Sequence, residues 1–165
     1  MNTFGYYENF IPLVSPVDTT TSAVATPYVD LKTVHKIHFL VFTGSIAVTS
    51  TDQPGPTITV ECSTAASSNA TEELIGFSYR MSGAVGADSW GAVTAGTTAG
   101  VALASSDDDT LILVEVDPAV VAAKMADARF VRLVFTPDAG ASATEVAILA
   151  GVTARYRGAA PVSTT

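Results

Sequence analysis

Apolar side chains recur at every second position in several short stretches, and that spacing leaves little choice of fold. Successive side chains on a strand point to opposite faces, so a period of two buries one face of a strand and no face of a helix. Val34-His35-Lys36-Ile37-His38-Phe39-Leu40-Val41-Phe42 is the longest such stretch. Thr57-Ile58-Thr59-Val60-Glu61-Cys62 and Leu111-Ile112-Leu113-Val114-Glu115-Val116 repeat the grammar. Ala, Thr, Ser and Gly fill the intervals. The pattern predicts an all-β fold, an antiparallel β-sandwich of jelly-roll-like type, with one short helix. A chain of 165 residues suits one domain, and 48% hydrophobic content suffices for a filled core.

The regular pattern runs over residues 28–157. Strands are expected at 28–31, 33–43, 57–63, 73–81, 110–116, 130–136 and 145–157, with shorter signals near Trp90 and at 101–103. In the longest strand, Ile37, Phe39 and Val41 share one face; Lys36, His38, Leu40 and Phe42 share the other. Both faces become apolar toward Phe42, which places this strand centrally in its sheet. Asp117-Pro118 supplies an N-cap and a first-turn proline for a helix near 118–126. Gly151 marks a possible kink in the last strand, and residues 158–165 read as a flexible tail.

Residues 1–27 differ. Phe4, Tyr6, Tyr7 and Phe10 form an aromatic cluster ahead of Ile11-Pro12-Leu13-Val14-Ser15-Pro16. Two prolines this close together oppose a helix or a central strand, so the segment reads as an extended N-terminal arm. Such an arm either folds back over its own core or buries its rings on another chain, because a solvated cluster of this size is a sticky patch. In the second case Phe4, Tyr6, Tyr7, Phe10, Ile11 and Leu13 form a partner-binding surface. Deletion of residues 1–14 is then expected to abolish partner binding and leave a folded domain.

Net charge is −8, from 16 acidic and 8 basic residues. The scattered basic residues give no footprint for neutralising phosphates, so no nucleic-acid partner is expected. Only 15% of residues are charged, against a usual share of about a quarter. A surface poor in repulsive groups tolerates close neighbours and points toward assembly, although a plain β-domain of small residues has the same composition. No apolar run reaches the roughly 18 residues of a bilayer span, and the opening residues lack a signal-peptide pattern. The expectation is a soluble chain made in a cytoplasm, without a membrane partner. Cys62 is the single cysteine and reads as a buried thiol.

No segment carries a set of catalytic groups. His35 and His38 fall on opposite faces of one strand, the wrong spacing for a two-histidine chelate. Asp107-Asp108-Asp109 lacks the alternating acids, central glycine and distal glutamate of a calcium loop, and reads as a solvated turn. The adjacent Glu72 and Glu73 diverge, and no phosphate-binding or nucleophile-elbow motif occurs. No catalytic residue, metal or cofactor is expected. A lone tryptophan in a β-domain is by default a core residue; the alternative is a sugar-stacking platform of Trp90 with Tyr79.

Tyr28-Val29-Asp30-Leu31-Lys32-Thr33, Ile75-Gly76-Phe77-Ser78-Tyr79-Arg80, Leu111 to Asp117, Arg129-Phe130-Val131-Arg132-Leu133 and a closing Arg155-Tyr156-Arg157 follow the aromatic arm in that order. Taken together, the chain resembles the small acidic virion proteins of tailed bacteriophages, in particular head decoration (cement) proteins. The resemblance covers residues 28–157 and rests on strand pattern and composition rather than on a signature motif. It implies a β-sandwich on the outer capsid surface, with the major capsid protein and further copies of itself, as dimer or trimer, for partners. A head–tail connector or tail component of the same particles is the neighbouring reading. A carbohydrate-binding module is the reading of another class.

Overall fold

In the computed structural model, residues 9–49, 55–67 and 71–154 are described. The strands in chain order are β1 (Asn9–Thr19), β2 (Val24–Ala25), β3 (Val29–Asp30), β4 (Val34–Thr43), β5 (Thr57–Ser63) and β6 (Glu72–Ile75). They continue with β7 (Phe77–Met81), β8 (Thr94–Gly96), β9 (Val101–Ala102), β10 (Leu111–Val116), β11 (Phe130–Thr136) and β12 (Thr144–Ala154). A front sheet has the order β1-β12-β4-β10-β7-β8, and a back sheet has β2-β11-β5-β6, with β3 also on β11 and β9 also on β5. All the pairings are antiparallel. The expected all-β sandwich is the architecture observed.

The core lies between the sheets and is built from the inward half of each alternation. Ile37, Phe39 and Val41 of β4 meet Ile58, Val60 and Cys62 of β5, with Leu133, Phe135 and Ile148 beside them, all fully buried. Burying one such side chain contributes about 1.5–3 kcal/mol. Burial also pushes the Cys62 thiol pKa upward, in keeping with an inert packed thiol. The strand over 57–63 matches its expected limits, and β4 is central in its sheet as expected.

The helix forms at Pro118–Lys124, where Asp117 accepts a hydrogen bond from the Ala119 amide at 2.8 Å and Val121 is buried. No helix among the described residues is long and apolar enough to cross a membrane.

Three expectations need correction. The stretch 73–81 is two strands, because β6 pairs with β5 in the back sheet and β7 pairs with β10 in the front sheet. The chain changes sheet at Gly76, where a Cβ would stand 3.2 Å from the Gly96 carbonyl oxygen. Ile75 and Phe77 both stay buried across this corner, so the alternation runs on without revealing it.

Residues 9–25 do not form an arm apart from the sandwich, since β1 and β2 are strands of its two sheets. β1 lies at an edge, where the missing N–H groups of Pro12 and Pro16 break no inner ladder. Its register shifts between Pro12 and Val14 and again between Val14 and Val17. Deleting residues 1–14 would therefore remove Ile11, Leu13 and Val14, which pack against the core, so the expectation of an intact domain no longer holds.

Gly151, finally, does not kink β12: its pairing with His38 and Phe10 is in register. Residues 1–8, with Phe4, Tyr6 and Tyr7, and residues 155–165, with the tail, lie outside the described residues.

Candidate binding face

The groups with catalytic or metal-binding chemistry are dispersed. Among the described residues no group of three or more His, Cys, Asp or Glu side chains converges. Asp107 Oδ2 accepts from the Ala104 amide at 2.8 Å and Asp108 Oδ1 from the Ile46 amide at 2.5 Å, so this acidic run holds backbone. Glu72 turns to Tyr28 and Arg132, whereas Glu73 pairs with Lys124. His35 is exposed, and His38 is buried on the opposite face of β4.

The two sheets differ on their outer sides. In the back sheet the outward residues are largely polar and answer one another. Arg132 binds Glu61 and Glu72, both at 2.7 Å, and its guanidinium lies 4.8 Å from the Tyr28 ring centre. The Tyr28 hydroxyl donates to Glu72. Burial, then this hydrogen bond, push the Tyr28 pKa up to about 12. Nearby, the Arg129 guanidinium donates to both carboxylate oxygens of Asp30 and holds that carboxyl below its ordinary range.

In the front sheet, register places outward residues of separate strands in rows. One row is Arg80, Leu113, Leu40, Leu149 and Pro12, crossing β7, β10, β4, β12 and β1. A second is Leu111, Phe42 and Ala147; a third is Ser78, Glu115, His38, Gly151 and Phe10. An outer face of an antiparallel sheet usually alternates polar residues against solvent. Here the central positions are leucines, and Phe42 remains 46% exposed.

Gly151 shapes the third row. A Cβ there would stand 2.1 Å from His38 Nε2. The vacant position lets the Phe10 ring reach across it, edge-on to His38 at 6.2 Å between centres, an aromatic covering a strand glycine.

Two shallow depressions mark this face. One, about 350 Å³, is bounded by Phe10, Lys36, Leu40, Arg80, Trp90 and Leu113, among others. The other, about 280 Å³, is bounded by Pro16, Val17, Phe42 and Ala147, with Asp18 and Glu145 at its rim. Trp90 is 41% exposed, so the core position expected for it is wrong. It bridges to Ser82 at the sheet margin, and the Arg80 guanidinium lies over its ring, 5.1 Å from the centre. The Trp90–Tyr79 platform does not form either: Tyr79 packs against the core with Phe77, on the side of β7 away from Arg80.

Of the expected partner-binding residues, Ile11 and Leu13 pack against this chain's own core. Phe10 alone, among those described, joins the outer face. The sequence reading did not place Leu113, Leu149 and Arg80 on this face, and offered Trp90 as a surface residue only in a sugar platform with Tyr79. A usable signal existed, since β4, β10 and β12 each carry apolar residues in both phases of the alternation. No protein-family model matches the chain, and no characterised protein or solved structure matches it either.

Proposed function

We propose that this chain is a non-enzymatic structural protein of a tailed-bacteriophage particle, a capsid decoration protein that lies on the shell through the outer face of its front sheet. The observation that carries the reading is the apolar outer side of a sheet whose inner side is already packed: half-buried Leu40 and Leu149 flank the buried Leu113 in register, and Phe42 in the next row is 46% exposed. Apolar side chains gathered into one continuous face gain from being covered, at about 25 cal/mol per Å². A specific interface buries on the order of 1,600 Å² in total, and a broad sheet face is a natural centre for one. The low-charge composition and the resemblance to cement proteins support the same reading. A protein that bridges coat subunits adds contact area where internal pressure pulls them apart. The Arg80 guanidinium over the Trp90 ring competes with a sugar for that face, which speaks against a sugar platform.

The test is co-sedimentation of the purified chain with particles that lack it. The parent chain is expected to bind in hundreds of copies; one or two rings per particle would place it at the head–tail junction instead. Leu40→Asp, with its fold checked by thermal melting, is expected to weaken binding about 30-fold or more, the scale of one central hot-spot residue. Unchanged binding by that variant would overturn the choice of face. Deletion of residues 1–8 leaves β1 whole and asks separately whether Phe4, Tyr6 and Tyr7 contribute.

A further inference from the structure

Resting on the docking reading above, we infer that Arg80 and Trp90 form a clamp for a carboxylate carried by an extended, apolar peptide segment of the partner protein. Arg80 is the one charged end of the leucine row, and its guanidinium already lies over the Trp90 ring. Its Nε is shielded from solvent and meets no hydrogen-bond acceptor among the described residues. A buried donor left without a partner costs about 1–3 kcal/mol. Once the side chain shifts to open Nε, a carboxylate can take Nε and a terminal N–H together, the bidentate geometry that suits a planar guanidinium. Glu115 is the acidic neighbour in this depression, and it pairs with Lys36 at 3.4 Å.

Charge points to the same ligand. The chain as a whole carries −8, yet this depression holds Lys36 and Arg80 against Glu115. An acidic segment is repelled by most of the surface and attracted here, which selects register as well as partner. Leu113 and Leu40 lie next along the row and would take the apolar side chains flanking the carboxylate. From β7 to β12 the row crosses three inter-strand gaps, roughly 14 Å, the reach of about four extended residues.

Trp90 is the only tryptophan in the chain, so its fluorescence reports this site alone. The full chain is titrated with acetyl-Leu-Glu-Leu-Leu-amide and with the same peptide carrying Gln in place of Glu. The clamp predicts a saturable change in emission, with affinity for the Glu peptide about tenfold higher, the scale of one hydrogen bond to a charged group. Arg80→Gln, melting with the parent, is expected to lose the preference, and Arg80→Lys to weaken it. Equal responses to both peptides, no saturable response, or an undiminished preference in Arg80→Gln would each overturn the clamp. Emission that shifts with protein concentration alone would also overturn it, assigning the face to a second copy. Particle binding separates the two levels. If Arg80→Gln co-sediments fully while Leu40→Asp does not, the clamp fails and the docking face stands. If the parent chain itself does not bind particles, the docking reading fails, and the peptide titration still decides the clamp.

Discussion

The outer faces of the two sheets are made by the same alternation on opposite sides of one core, and they are finished in different ways. On the back face the outward positions of β5, β6 and β11 hold Glu61, Glu72 and Arg132, and these charges satisfy one another and Tyr28. On the front face the corresponding positions of β10, β4 and β12 hold Leu113, Leu40 and Leu149. Leu74, 40% exposed, stands singly on the back face beside Glu61; the front leucines stand side by side. Scattered apolar residues on a surface are ordinary, whereas a contiguous row marks contact. A period of two determines what faces the core. The identity of the other half of each strand decides which side of the sandwich remains to be covered.

The contrast breaks most visibly under substitution of its two centres. Arg132→Leu should strand Glu61 and Glu72 and cost about 1–3 kcal/mol, read as a lower midpoint in denaturant melts, while leaving particle binding intact. The Arg132 side chain is about one-fifth exposed, which keeps the figure below that of a fully buried pair.

The pH dependence of stability sharpens the same contrast, because two of the shifted groups, Tyr28 and Asp30, stand on the back face. Tyr28 has its folded pKa raised from 10.0 to about 12, so its contribution is complete below pH 10 and lost as pH rises toward 12. Asp30 has its folded pKa lowered, first by the Arg129 hydrogen bond, so its contribution is complete above the ordinary carboxylate range and lost as pH falls through it. Tyr28→Phe should flatten the alkaline limb of a melting-temperature profile, and Asp30→Asn the acid limb. The smallest effect is expected on the front face: Phe42→Thr should change stability by no more than about 0.5 kcal/mol, since its ring is nearly half exposed. The same change should still weaken docking.

Much of the sandwich was legible in the residues because its strands obey a local rule. Ile58, Val60 and Cys62, or Ile112 and Val114, can be buried together only in an extended chain, and β5 and β10 formed where that rule placed them. Asp117 and Pro118 likewise marked the helix start by local chemistry. Pairing is not local. Leu40, Leu113 and Leu149 lie far apart in the chain, and only register makes them neighbours. The apolar outward half of β4 points to a central strand, which β4 is, but the row it forms with β10 and β12 is visible only in the register. Gly76 was opaque for a related reason, since turning from one sheet to the other keeps Ile75 and Phe77 on the same core. Trp90 was misplaced because its type favours burial, while its position beside Arg80 depends on a bridge between Ser82 and the following loop.

The central claim is that the leucine-bearing face, and not the charged one, meets the shell. Hydroxyl-radical footprinting of the chain, free and bound to particles, examines both faces in one experiment. Oxidation of Leu40, Phe42 and Trp90 is expected to fall on binding, while Leu74 and Phe130 on the back face react as in the free chain. Protection of Leu74 and Phe130 with the front residues still reactive would contradict the account.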